Sequence, residues 1–109
     1  LNSSGDVCGT TPCASRVLLL ELNEAARTAR IEWADPLAPV FSFFGGSSRL
    51  LANGHIEFGV SAAPTEGTNA AIYEVTKTSP PEIVWQMQIT GQYAYRAFRI
   101  PSMYPGVQW

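Results

Sequence analysis

The 109-residue sequence predicts an all-β fold built from short antiparallel strands. Short apolar segments alternate with turn residues, among them Asn53-Gly54, a strong hairpin signal. A second observation is an internal repeat with a period of about 50 residues. Each copy ends on a tryptophan, and the copies are residues 19–22 with 31–33 and residues 72–75 with 83–85. Because such periods are typical of propellers and other repeat arrays, we expect about two blades of a β-propeller.

The pattern of apolar and turn residues predicts seven or eight strands. Residues 1–15 are mostly small and polar and are expected to form a loop. Residues 23–30 favour a hairpin connection, because an isolated helix that short is marginal. Residues 16–60 would form the first blade-like repeat and residues 70–109 the second. The predicted strands are residues 16–22, 29–33, 47–51, 56–60, 70–76, 82–89 and 93–100, with a turn or short strand at 104–109.

Composition excludes several classes of protein. Hydrophobic residues make up 46% of the chain and charged residues 15%, which argues against intrinsic disorder. The formal net charge of -2 gives no sign of the basic patch that a nucleic-acid partner requires. No apolar run approaches the roughly 20 residues of a membrane span. One histidine and two cysteines are too few for a typical zinc site, so we expect neither metal nor cofactor.

The two cysteines lie close together near the start of the sequence. Cys8 and Cys13 are separated by Gly-Thr-Thr-Pro, a segment that can turn back on itself. A local disulfide is therefore geometrically plausible, and free structural thiols are the alternative. A disulfide would favour an exported protein, so a periplasmic or secreted location is expected. The first residue, Leu1, suggests a processed or truncated chain.

A further pattern is carried by four segments of the sequence. They are residues 16–22 with 31–33, residues 46–55, residues 72–75 with 83–85, and residues 94–105. Together they resemble the bacterial arylsulfotransferase family. The first and third match its blades, and the second is close to a family segment of the form G-S-x-Q-R-L-P-N-G-N. The fourth resembles the C-terminal ending Y-R-A-x-R-I-x-x-L-Y-P.

The resemblance implies a six-bladed propeller that moves a sulfuryl group from a phenolic sulfate ester to another phenol. The family uses no nucleotide cofactor and works through a sulfated histidine, supported by further histidines and an arginine. This sequence departs from that pattern. Its one histidine, His55, occupies a turn position where the family usually has asparagine. The family's nucleophile would precede Leu1, so the resemblance implies a C-terminal part that is inactive alone and contains no catalytic residue.

The residues expected to contact substrate lie at the start of what would be an innermost blade strand. Ser47, Ser48 and Arg49 could reach the mouth of the channel. An arginine can hold a sulfate with two parallel hydrogen bonds. The alternative is a purely structural role, with serines that cap a turn and an arginine in ionic contacts between blades. Partners would be phenolic sulfates or phenols in the full enzyme, and the remaining blades or further copies of the chain.

Other prominent residues favour structural roles. His55 is expected to be an exposed turn residue, and Trp33 and Trp85 are expected to pack between adjacent blades. Glu21 and Glu74 occupy equivalent places in the sequence repeat, which favours a structural role over a pair of catalytic carboxylates. The alternative to an arylsulfotransferase part is a non-catalytic propeller-like or β-sandwich module that serves binding or structure.

Overall fold

The computed structural model describes residues 15–35, 42, 45–63 and 69–100. Six strands lie in these ranges, every strand pair is antiparallel, and the described ranges contain no helix. The predicted all-β class is thereby confirmed for them. No described segment could therefore cross a membrane as a helix. The strands are β1 (Val17–Asn23), β2 (Thr28–Asp35), β3 (Ser47–Leu50), β4 (Ile56–Ala63), β5 (Asn69–Val75) and β6 (Ile83–Ile89).

The first sheet is the hairpin of β1 and β2. Its connection is a turn, as expected, in which Asn23 Oδ1 accepts a hydrogen bond from the Ala26 N–H at 2.9 Å. Arg27 adopts a left-handed conformation with φ of 53°, which closes the turn. The short polar side chain of Asn23 thus supplies an acceptor for a backbone N–H of the turn.

The second sheet contains β3, β4, β5 and β6 in sequence order. The predicted Asn53-Gly54 hairpin joins β3 to β4, and Gly54 takes a φ of 84° that glycine adopts without strain. The Leu51 N–H donates to the His55 carbonyl at 2.8 Å and closes this hairpin. This sheet combines residues from both predicted repeats, so its limits do not coincide with the boundary expected between residues 60 and 70.

The buried core lies between the two sheets. Alternation along β4 turns Ile56, Phe58 and Val60 to the face that meets the hairpin. Val17 and Trp33 contribute to the core from the hairpin. Two further contacts join the hairpin to the connection between β5 and β6: Trp33 Nε1 donates to the Thr78 carbonyl at 2.9 Å, and the exposed Lys77 pairs with Glu32 at 2.6 Å.

The two hairpins share an irregularity at their tryptophans. Trp33 pairs with Leu19 and Ile31 with Leu20, which leaves the intervening Glu32 without a partner in the register. Trp85 likewise pairs with Glu74 and Ile83 with Val75. Such bulges are specific structural features, so the repeated Ile-x-Trp segment has a counterpart in the backbone. The sequence pairing of Glu21 with Glu74 was wrong, because Leu19 is the register counterpart of Glu74.

The two tryptophans differ in burial. Trp33 is buried in the core, as predicted, whereas Trp85 is 44% exposed. The burial differs because the two side chains lie on different kinds of sheet face. Trp33 faces the second sheet, and Trp85 lies on the face of the second sheet that is turned away from the hairpin. The predicted packing of Trp85 between adjacent blades therefore stays a prediction, since the described residues leave it partly exposed.

The strand predicted at residues 93–100 is not formed. Residues 94–99 lie across the second sheet next to Gly59: a Cβ built on Gly59 would be 3.7 Å from the Ala97 Cβ, an ordinary contact distance. Backbone donors of this segment are bound by side chains, which explains the absence of a strand ladder. The predicted turn or strand at residues 104–109 falls outside the described residues.

Candidate functional site

The three residues expected to contact substrate are divided between two faces of β3. Ser47 and Arg49 pair with Gly59 and Glu57, on the face that carries residues 94–99. Ser48 pairs with Phe58 and therefore points to the hairpin side. The strand alternation thus does not bring the three side chains together as one site. Their role toward a substrate stays a prediction.

Ser47 and Arg49 bind the segment that lies over their face. The Ser47 hydroxyl accepts from the Ala97 N–H at 3.0 Å and is 3.1 Å from the Ala97 carbonyl, to which it donates. Arg49 Nη1 donates to the Arg99 carbonyl at 3.1 Å. Both residues therefore hold residues 94–99 in place, which is a structural role of the kind named as the alternative to substrate binding.

We expect Ser47→Ala to loosen residues 94–99 without unfolding the sheets. The substitution removes both side-chain contacts to Ala97, each worth about 1 kcal/mol. Protection of the Ala97 amide against hydrogen exchange should fall by about tenfold, as measured by NMR. Ser48→Ala is the matched control, since Ser48 lies on the opposite face, and it should leave this amide unchanged. Equal protection in the wild type and Ser47→Ala would contradict the contact.

Ser48 lines an open cavity of about 510 Å³ between the start of the hairpin and the start of β3. Arg16 contributes a cationic side chain to the lining, while Gly45 and Gly46 contribute backbone. Both glycines have positive φ, and a Cβ on Gly45 would come within 2.3 Å of Ser61 Oγ. The close approach at Gly45 therefore requires glycine, and it shapes this cavity.

A second candidate centre is built around the buried carboxylate of Glu74. Its Oε1 accepts from Asn53 Nδ2 at 3.0 Å and from His55 Nδ1 at 2.7 Å. Its Oε2 accepts from Arg99 Nη1 at 2.5 Å. The donors come from the β3–β4 turn and from residues 94–99, so one carboxylate on β5 joins three separate parts of the chain. We call Glu74, Asn53, His55 and Arg99 the Glu74 cluster.

These donors control the charge of Glu74. Hydrogen bonds from Asn53 and His55, with the positive charge of Arg99, hold the pKa of the Glu74 carboxyl below its ordinary value of 4.5. Burial acts in the opposite direction and offsets part of this lowering. Glu74 is thus ionised at neutral pH and paired. Its neighbour Glu57, also buried, accepts from the Arg99 N–H at 3.2 Å.

His55 lies in a turn, as predicted, but it is partly buried rather than exposed. The contact with ionised Glu74 places the proton on Nδ1, which leaves Nε2 for other partners. The side chain is 32% exposed. A carboxylate that orients an imidazole in this way is a common arrangement in proton transfer. Within this fold, the contact joins the β3–β4 turn to β5.

The two glutamates of the sequence repeat have different environments. Glu21 is exposed and forms an ion pair with Arg30 across the hairpin, whereas Glu74 is buried among cationic and amide donors. The sequence predicted a structural role for both glutamates but did not reveal the Glu74 cluster. A signal was present, because Glu57 and Glu74 are each flanked by apolar or aromatic residues in their strands, and such carboxylates need partners when buried.

Residues 94–99 continue the repeat in space. Ser47 contacts Ala97 and Arg49 contacts Arg99, each pair 50 residues apart in sequence. Gly46 donates its N–H to the Tyr95 carbonyl at 3.0 Å. The segment therefore runs in the same direction as β3 and lies one layer above it. Arg49 and Arg99, matched in the sequence repeat, are neighbours in the structure.

The predicted Cys8–Cys13 disulfide lies outside the described residues, so it remains a prediction. Comparison of this chain with known protein families, with curated proteins and with solved structures finds no significant match.

Proposed function

We propose that this chain is a scaffold part of a β-propeller of the arylsulfotransferase type. The observation that carries the proposal is the spatial repeat. The hairpin of β1 and β2, the four-stranded sheet and residues 94–99 form three successive layers. Four-stranded antiparallel sheets arranged in succession around a channel are the architecture of a propeller.

The assignment of each layer follows from the strand equivalences. β1 and β2 correspond to β5 and β6, since both pairs contain the bulged Ile-x-Trp segment. They would thus be the two outer strands of one blade. β3 through β6 would be a whole blade, and residues 94–99 would be the start of the next innermost strand. Arg49 and Arg99 would then face or flank the channel from successive blades.

The arylsulfotransferase part of the proposal rests on the sequence resemblance. The layer assignment agrees with it, because Ser47, Ser48 and Arg49 would then fall on an innermost strand, as the resemblance implies. The histidine that accepts the sulfuryl group would lie outside these 109 residues. In this chain His55 is held by Glu74 at a turn, which suits an anchoring role.

We expect the purified chain to show no sulfuryl transfer from 4-nitrophenyl sulfate to a phenol. It should still bind the ester weakly through Arg49, because a guanidinium pairs with a sulfate. NMR titration of wild type, Arg49→Gln and Arg30→Gln tests this. Arg30 is a matched exposed arginine on β2.

The expected result is no turnover, together with binding that Arg49→Gln weakens by about tenfold and Arg30→Gln leaves unchanged. Steady release of 4-nitrophenol that depends on the phenol acceptor would overturn the scaffold role. Equal binding by wild type and Arg49→Gln would overturn the assignment of Arg49. If the titration shows no specific binding of the ester, it would favour the alternative, a binding or structural module without sulfuryl chemistry.

A further inference from the structure

We propose that Asn53 is a site of spontaneous deamidation, and that its conversion to aspartate or isoaspartate releases the β3–β4 turn from β5. The reactive pair is Asn53-Gly54, the one Asn-Gly pair in the sequence. In the folded chain the Glu74 cluster holds this asparagine, so the reaction takes place when the turn opens. Because ammonia leaves, the change is one-way. The proposal is independent of the proposed function.

The chemistry needs only the two residues and water. After loss of its proton, the Gly54 backbone nitrogen attacks Asn53 Cγ, and the new C–N bond closes a cyclic imide. The Cγ–Nδ2 bond breaks, and the amide nitrogen leaves as ammonia with a proton that replaces the one released. Water then opens the imide at either carbonyl carbon, which gives aspartate or isoaspartate. Glycine favours the attack because it has no side chain to hinder the approach to Cγ.

The pair lies on an open turn. Asn53 is exposed, and a Cβ built on Gly54 would have no neighbour within 4 Å. The water that opens the imide therefore has free access to the site. Asn23, at the β1–β2 turn, instead precedes Glu24, whose side chain hinders the same attack. Asn23 is thus an internal control for the reaction.

The folded structure restrains both ends of the Asn53 amide. Asn53 Nδ2 donates to Glu74 Oε1 at 3.0 Å and lies 3.2 Å from His55 Nδ1. Asn53 Oδ1 accepts from the His55 N–H at 3.0 Å. The nucleophile is also held, since the Gly54 N–H donates to the Leu51 carbonyl at 3.0 Å. Cyclisation requires the amide to rotate and the Gly54 proton to leave, so these contacts must first break in a local opening.

Aspartate at position 53 would place a second negative charge in the Glu74 cluster. The donor Nδ2 would be replaced by a carboxylate oxygen beside Glu74, whose side chain is 7% exposed. The two carboxylates would repel each other, and burial strengthens the repulsion. His55 cannot relieve it in place, because its Nδ1 proton already faces Glu74. The turn therefore loses a tie to β5 and gains a repulsive contact.

Isoaspartate would also change the backbone of the turn. It routes the chain through Cγ and so adds a carbon between residues 53 and 54. The Leu51 N–H bonds the His55 carbonyl at 2.8 Å, and the Gly54 N–H bonds the Leu51 carbonyl. Both bonds span the lengthened segment, and hairpin geometry depends on the length of the connection. Either product thus loosens the turn.

The competing account is a reaction that needs unfolding of the whole chain rather than local opening of the turn. Two variants separate them. Glu74→Gln weakens the cluster that holds Asn53. Val60→Ala is the matched control, because Val60 is buried in the core and lies outside the cluster. Both substitutions lower the overall stability, but only the first one loosens the turn.

The test follows deamidation at mildly alkaline pH by peptide mass spectrometry, with circular dichroism to check folding. We expect Asn53 to react about tenfold faster in Glu74→Gln than in the wild type, because opening the turn costs less. Val60→Ala should react like the wild type, and Asn23 should stay intact in all three proteins. The wild type in urea gives the unrestrained rate, which should exceed the folded rate by at least about tenfold. This comparison replaces Glu74→Gln if that variant does not fold.

Asn53→Asp tests the consequence of the reaction. The pKa of the Glu74 carboxyl, followed by NMR, should rise above its wild-type value, because a donor is lost and a like charge is gained. Asn23→Asp is the matched control, since its carboxylate can still accept from the Ala26 N–H, and it should leave the pKa of Glu74 unchanged.

Four results would each overturn the proposal. They are equal rates in folded and urea-denatured wild type, equal rates in folded Glu74→Gln and wild type, equal acceleration by Val60→Ala and Glu74→Gln, and an unchanged pKa of Glu74 in Asn53→Asp. None of these outcomes depends on sulfate-ester binding, so failure here is distinguishable from failure of the proposed function.

Discussion

Replacement of Phe58 by alanine is expected to lower the free energy of unfolding by about 3–5 kcal/mol. Phe58 is 3% exposed and lies at the centre of the core between the two sheets. Its ring stacks against Tyr73, with 5.2 Å between the ring centroids. Truncation would remove this contact and leave a cavity beneath the hairpin. For a domain of this size, such a loss approaches the whole stability.

Urea denaturation followed by tryptophan fluorescence measures this effect, because Trp33 reports on the same core. The matched control is Leu22→Ala, which removes an apolar side chain from the exposed hairpin face. The control should change stability of the monomer by no more than about 0.5 kcal/mol. Similar effects of the two substitutions would mean that the hairpin does not pack on the second sheet as described.

The second large effect is expected at the Glu74 cluster. Glu74→Gln keeps the shape of the side chain but removes the charge that faces Arg99 and His55. We expect a loss of about 2 kcal/mol at pH 7, the range measured for hydrogen bonds to charged groups. The half-exposed Arg99 regains water and limits the loss. Glu21→Gln is the matched control, since the exposed Glu21–Arg30 pair should contribute at most about 1 kcal/mol.

The same cluster predicts a pH dependence with a definite sign. The folded state lowers the pKa of Glu74 below 4.5, so unfolding raises its affinity for protons. The stabilisation is therefore complete above pH 4.5 and is lost as the pH falls through the lower pKa of the folded state. The difference in stability between wild type and Glu74→Gln should shrink in that acid range. A difference that stays constant down to the acid end would contradict the assigned ionisation.

Local pattern was enough to predict most strands of this fold. The alternation in β4, the Asn53-Gly54 turn and the repeated Ile-x-Trp segment each depend on neighbours in sequence, and the structure contains all three. The strand prediction for residues 93–100 was wrong, because an extended, apolar-rich segment has the same sequence pattern whether it pairs at a sheet edge or lies on a sheet face. Which of the two occurs depends on side chains of the second sheet that bind the segment, such as Ser47 and Glu57, far away in the chain.

The candidate site was harder to predict for the same reason. The sequence marked His55 as a turn residue and Glu74 as a structural carboxylate, but nothing local indicates that they meet. Their contact follows from the register of β4 on β5, which brings the turn after β3 next to Glu74. Ser47, Ser48 and Arg49 are adjacent in sequence, and strand alternation then separates them onto two faces.

The central claim is that residues 94–99 stack on the second sheet as the next layer of a repeat. Disulfide trapping tests it most directly: a Cβ at position 59 lies 3.7 Å from the Ala97 Cβ, within the range of a disulfide. We predict that Gly59→Cys with Ala97→Cys, in a Cys8→Ser and Cys13→Ser background, cross-links on mild oxidation. Gly59→Cys with Phe98→Cys, one residue away and exposed, should not. Free thiols in the first pair, found by peptide mass spectrometry of the folded protein, would contradict the stacked repeat.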